Sequence, residues 1–170
     1  MGILKAATDW AKDELFSTPF FIFFGVVFII SSIAFWQLGK TDMARAYIIP
    51  TLIAGLLLMT IGIGLFYTNM QRVKQFEIDY NADATAFVQS ELVRAEATLK
   101  EYQTIVFKAI PLIIVACALG ILFFKTPIWR ASMVTAIAML VVILLIDGTA
   151  HARIAAYHEQ LQNVHELNDN

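Results

Sequence analysis

Residues 20–38 read FFIFFGVVFIISSIAFWQL, a run without a single charged side chain. A hydrocarbon core of about 30 Å needs roughly 20 apolar residues of helix to cross it, so this stretch has the length and composition of a membrane span. Three further runs of the same kind follow, at 46–67, 105–124 and 128–146. Trp36, Tyr47 and Trp129 gather at one end of these runs, and Trp10, Tyr67 and Tyr102 at the other. That is the pair of aromatic belts expected of a bundle crossing a bilayer.

The runs are joined two by two through short tips of matching pattern. The first tip reads Lys40-Thr41-Asp42-Met43-Ala44-Arg45-Ala46 and the second Lys125-Thr126-Pro127-Ile128-Trp129-Arg130-Ala131, with Lys, Thr, Arg and Ala at the same spacing. The pattern points to one helix hairpin used twice. Both copies start and end on the same side, so the repeat is parallel. The fold class expected is therefore an all-α integral membrane protein: four transmembrane helices as two hairpins, an N-terminal interfacial helix, and a small extramembrane helical bundle.

Composition agrees. The chain is 59% hydrophobic and 15% charged with a mean hydropathy of +0.69, against about 25% charged residues in an ordinary soluble domain. Its net charge of −2 speaks against a nucleic-acid partner, which would meet a clustered basic face. The one cysteine, Cys117, lies inside the third apolar run, where it reads as a small apolar residue. No cofactor motif is present, so none is expected.

The polar segments carry their own pattern. Ile3, Leu4, Ala7, Trp10, Ala11 and Leu15 fall on one helical face opposite Lys5, Asp9, Lys12 and Asp13. Residues 1–18 thus read as an amphipathic interfacial helix, with Ser17 or Thr18 as the cap of the next helix and Pro19 in its first turn. The first hairpin is assigned to 19–67, an extramembrane helical segment to 68–104, the second hairpin to 105–147 and a C-terminal amphipathic helix to 148–170. Val88, Leu92, Ala95, Leu99 and Tyr102 alternate in steps of four and three, as do Ala150, Ile154, Tyr157, Leu161 and Val164, the rhythm of a coiled-coil seam. Asn81-Ala82-Asp83 is the expected turn between the two central helices. Val88, Leu92, Leu99, Ile154 and Leu161 are the candidate partner-seam residues.

Small residues offer packing faces: Thr51, Gly55, Thr60 and Gly64 in the second run, Ala116 and Gly120 in the third, Ser132 and Ala136 in the fourth. Pro111 predicts a mild kink in the third.

Candidate chemistry is sparse. Asp147, His151, His158 and His165 place every histidine of the chain seven residues apart behind one carboxylate. Imidazole and carboxylate suit transition metals and pH sensing, yet a spacing of seven spreads the rings by about 10.5 Å along a helix. Only Asp147 and His151 could share an ion within one chain. Lys40, Arg45, Lys125 and Arg130 read as snorkelling cations, or as contacts for lipid phosphate or another anion. The runs are almost uncharged, which disfavours ion-coupled transport. No nucleophile elbow or phosphate loop appears.

The expectation is a non-enzymatic protein of the membrane, acting through its extramembrane bundle as an oligomeric scaffold, accessory subunit or immunity-type binding protein. A homo-oligomeric channel or pore subunit is the alternative, followed by a metal-binding membrane protein using Asp147 and His151. Its partners would be the lipid bilayer and either itself or another membrane protein. A bacterial inner membrane with cytoplasmic termini fits the uncleaved, charged N-terminal segment.

Overall fold

A computed structural model describes residues 2–168 of the chain. Its helices are α1 (Ile3–Leu38), α2 (Asp42–Ala46), α3 (Ile48–Ala82), α4 (Ala84–Glu101), α5 (Ile110–Phe123) and α6 (Pro127–Asn168), with a π-helical segment, Tyr102–Ala109, joining α4 to α5. No strand occurs among the described residues. Four helical runs, Ile3–Leu38, Asp42–Ala82, Ala84–Phe123 and Pro127–Glu166, are long and apolar enough to cross a membrane. At 1.5 Å per residue the 36 residues of α1 extend about 54 Å, well beyond a hydrocarbon core. Each long helix therefore combines an apolar segment with a polar one.

The N-terminal segment differs from expectation. The helix predicted over 1–18 is not a separate element, because α1 runs unbroken through Pro19. Proline removes the N–H that would reach the Leu15 carbonyl. The Thr18 hydroxyl donates to that carbonyl instead, at 3.1 Å, and the Ser17 hydroxyl donates to the Asp13 and Glu14 carbonyls. Ser17 and Thr18 thus repair the interior of a helix where caps were expected. The apolar face of this first part, Ile3, Ala7, Trp10 and Ala11, is buried.

Two cores result. The larger lies in the polar half and joins those α1 residues to Phe76 of α3, Phe87, Val88, Leu92 and Ala95 of α4, and Ile154, Tyr157 and Leu161 of α6. The smaller lies in the apolar half and consists of Phe21, Leu58, Val142 and Ile146, with Phe24, Phe28, Met139 and Ile143 beside it. α5 is absent from both cores and packs chiefly on α6.

In the apolar half, α1 and α3 pack along their length. A Cβ on Gly25 would meet the Gly55 carbonyl oxygen at 3.0 Å, and one on Gly62 would meet Ile22 N at 3.0 Å, so backbone approaches backbone as small residues permit. Gly55 takes part as expected. Gly64 does not, since nothing lies within 4 Å of its Cβ position. The Ser32 hydroxyl crosses to the Ile48 carbonyl at 2.7 Å and satisfies a polar group that apolar surroundings would otherwise penalise.

The turns follow simple chemistry. Asp83 separates α3 from α4, and its carboxylate accepts from Thr85 N and Ala86 N at 3.0 Å each, an N-cap where the sequence predicts a turn. At the two tips, Arg45 Nε donates to the Gly39 carbonyl at 3.2 Å and Arg130 Nε to the Phe124 carbonyl at 3.0 Å. In both cases the arginine reaches back six residues to a carbonyl at the end of the preceding helix.

Candidate functional site

The two cores meet around a cavity of about 340 Å³. Its walls change character from one end to the other. Phe21, Leu65, Ile105 and Ile146 come from the apolar segments, whereas Glu14, Asn69, Arg72, Arg94, Glu101 and Asp147 supply polar groups where the helices turn polar. Four long helical runs contribute, so the cavity exists only in the assembled fold.

The charges around it are organised in layers. Arg153 reaches from α6 to α1, donating from Nε to Glu14 Oε1 at 3.0 Å and from its terminal nitrogen to Ser17 Oγ at 2.7 Å. Glu91 is buried and is held twice. Arg94 grips it through two nitrogens, Nε at 2.8 Å from Oε1, and the Tyr157 hydroxyl donates to Oε2 at 2.9 Å. Burial and the Glu91 charge hold the Tyr157 hydroxyl well above the usual phenol range. Such a pair contributes only when every partner is present, because a carboxylate left alone in this setting is strongly destabilising.

Trp10 organises the same region. Its indole stacks on Tyr157 with centroids 5.3 Å apart, and the Arg94 guanidinium lies 4.3 Å over its ring, with Arg72 at 5.8 Å. Cations over an indole face are attracted by its quadrupole. The indole N–H is buried without an acceptor.

Arg72 is held more loosely than the other two arginines. It donates to Asn69 Oδ1 at 3.0 Å, and no carboxylate pairs with it among the described residues. Burial, then the neighbouring Arg94 charge, pushes its pKa below the usual arginine value. Tyr102, on the π-helical wall, is shifted upward by burial and then by Asp147.

The predicted site residues are distributed as follows. Asp147 lines the cavity. His151 is outside the lining and lies behind it, edge-on to the wall residue Tyr102 at 5.7 Å and to Phe107 at 5.0 Å. His158 Nε2 lies 3.6 Å from Glu96 Oε1, and His165 sits farther along α6. Among the described residues no group of three metal-ligating side chains comes together. Lys40, Arg45, Lys125 and Arg130 stay at the tips, the two arginines occupied by helix-end carbonyls.

The candidate partner-seam residues face inward. Val88, Leu92, Ile154 and Leu161 are buried in the larger core and Leu99 packs against it, so the seam closes within the chain. Sequence reasoning did not single out Glu14, Glu91, Arg72, Arg94 and Arg153. The available signal was Glu91-x-x-Arg94 beside the seam positions Leu92 and Ala95. Comparison with known protein families, with curated proteins and with solved structures finds no match.

Proposed function

We propose that this chain is an integral membrane protein that acts without catalysis, as an oligomeric scaffold, accessory subunit or immunity-type binding protein, through a helical bundle outside the bilayer. In this reading the apolar segments form two hairpins of one repeated unit, and the shared arginine tie of the two tips supports that repeat. The membrane is a bacterial inner membrane with both termini in the cytoplasm.

One observation carries the reading. The larger and better-connected core belongs to the polar half, where four helical runs share twelve buried residues. Ion pairs and a buried tyrosine lock that half together. A bundle of this kind is a rigid platform, and rigid surfaces lose little entropy when they bind. On its outside, Ile78 of α3 and Val93 of α4 are apolar and exposed.

The test is affinity purification of the full chain from its native membrane, with mass spectrometry and a mass measurement in nanodiscs. The expected result is stoichiometric association with itself or one other membrane protein, weakened by I78K or V93K while the far-ultraviolet spectrum is unchanged. A monomer that brings down nothing, under conditions that preserve the fold, overturns the reading.

A further inference from the structure

We propose that the cavity between the two cores binds one phospholipid with a zwitterionic headgroup bearing a primary amine, its phosphate on Arg72 and its ammonium on Asp147. The proposal rests on the membrane reading above and goes beyond it, because a scaffold needs no such site.

The wall chemistry carries the assignment. Arg153 and Arg94 are committed to Glu14 and Glu91, which leaves Arg72 with an amide as its only hydrogen-bonded side-chain partner among the described residues. A guanidinium has five N–H donors in a planar fork, and a phosphate oxygen pair matches that fork. Trp10 forms part of the same wall, is 7% exposed, and buries an indole N–H without an acceptor. An anionic oxygen beside Arg72 would take up guanidinium donors that the Asn69 amide leaves free. The carboxylates whose charge acts on Arg72, Glu91 and Glu14, are tied to Arg94 and Arg153, so the free donors of Arg72 point to a ligand atom.

Asp147 lines the same cavity with no hydrogen bond or ion pair to another described side chain. Its charged surroundings are acidic, with Glu14 and Glu101 also in the wall, the former already tied to Arg153. This part of the wall attracts a cation. One wall seeking an anion and another seeking a cation, in a space of about 340 Å³, fit a small zwitterion; ligand pockets begin near 300 Å³.

The apolar lining decides between a free zwitterion and a lipid. Phe21, Leu65, Ile105 and Ile146 continue from the cavity into the apolar half. Leu65 on α3 and Ile105 on the π-helical segment are exposed by 39% and 53%, and these two elements do not pack along one another. The gap between them faces the direction of the acyl chains, so a lipid enters sideways with its headgroup leading. π-helical turns recur at functional positions, and this one forms the wall of that gap.

The test uses the full chain carrying W36F and W129F, so that Trp10 is the sole indole. Both replaced residues are exposed at the tips. Extracted into detergent, it is titrated with short-chain phosphatidylethanolamine, phosphatidylcholine and phosphatidylglycerol, and with soluble glycerophosphoethanolamine, while Trp10 emission is followed. Phosphatidylethanolamine is expected to bind about tenfold tighter than phosphatidylcholine, the worth of a charge-assisted hydrogen bond that a quaternary amine cannot make.

D147N should bring the two lipids within about twofold of each other, and R72Q should weaken all three lipids by about tenfold or more. Equal binding of the three lipids to the unaltered site overturns the proposal without recourse to any substitution in it. So does competition by glycerophosphoethanolamine as strong as that of the lipid. Recovery of the chain in the soluble fraction without detergent counts against the membrane reading as well, whereas lost headgroup selectivity after normal detergent extraction counts against this site alone.

Discussion

Replacing Gly55 by alanine tests the close crossing of α1 and α3. A Cβ there would lie 2.7 Å from Ile29 Cγ1, 2.8 Å from the Gly25 carbonyl oxygen and 3.0 Å from Ile29 N. The isoleucine side chain can move. The oxygen and nitrogen belong to the α1 backbone, and the oxygen is 0.6 Å short of ordinary contact at 3.4 Å. Accommodation therefore requires α1 and α3 to part, loosening Leu58 and Phe21 nearby, at a cost of about 1–3 kcal/mol for overpacking.

Alanine also favours helix over glycine by up to about 1 kcal/mol, which hides part of that cost. Gly64→Ala in the same helix supplies the control, since its Cβ position is open. The two substitutions carry the same propensity gain, so their difference isolates the crossing. Titration with SDS in mixed micelles, followed by tryptophan emission, should place G55A about 1–3 kcal/mol below G64A. If the two variants unfold together, the close crossing of α1 and α3 is wrong.

Thr18→Val should cost about 1–3 kcal/mol, because it strips the Leu15 carbonyl of its donor; the loss should shrink in a P19A background, where a backbone N–H returns, as a double-mutant cycle in the same titration would show. Tyr157→Phe tests the Glu91 lock through pH. The folded-state pKa of Tyr157 is raised above the ordinary 10.0, so the tyrosine contributes stability in full below that value and loses it as pH rises through the folded pKa. Wild type should weaken between pH 10 and 12 more steeply than Y157F, and equal slopes in alkaline unfolding curves would reject the buried hydrogen bond. Deleting Thr104 from the π-helical segment should turn α5 by about 100°, exposing Val106 and Ile110 and lowering the unfolding midpoint; an unchanged midpoint would contradict the assigned register.

Much of the architecture was legible because apolar length and seam rhythm are strong, local signals. The four runs stand out by composition, and the steps of four and three at 88–102 and 150–164 mark the faces that the larger core buries. What stayed hidden depends on neighbours far away in sequence. Gly25 gave no small-xxx-small pair of its own, yet it meets Gly55 across the crossing. Pro19 reads as a helix start, and only the Thr18 hydroxyl on Leu15 shows why the helix continues. Glu14 and Arg153 are 139 residues apart, and no periodicity links them. The cavity was invisible for the same reason, its walls being three to six residues from each of four helical runs.

The π-helical segment explains how one continuous run can leave the larger core that it helps to build. In α4 the buried positions Val88, Leu92 and Ala95 hold a single face toward the bundle. Continued as regular α-helix, that face would carry on into the apolar half and keep the following helix inside. Across Tyr102–Ala109 the bonds step five residues, Ile110 N–H reaching the Ile105 carbonyl, and each residue gained turns the helix by about 100°. Beyond Ile110 only Gly120 of α5 is buried, so the seam has been rotated away and α5 presents its side chains outward. Pro111 follows at the second position of α5, where its missing N–H disturbs a ladder that the wider turn has already opened. The same wide turn sets Tyr102, Ile105 and Val106 around the cavity. The break in helix register that frees α5 from the core is therefore also what builds the wall of the proposed headgroup site.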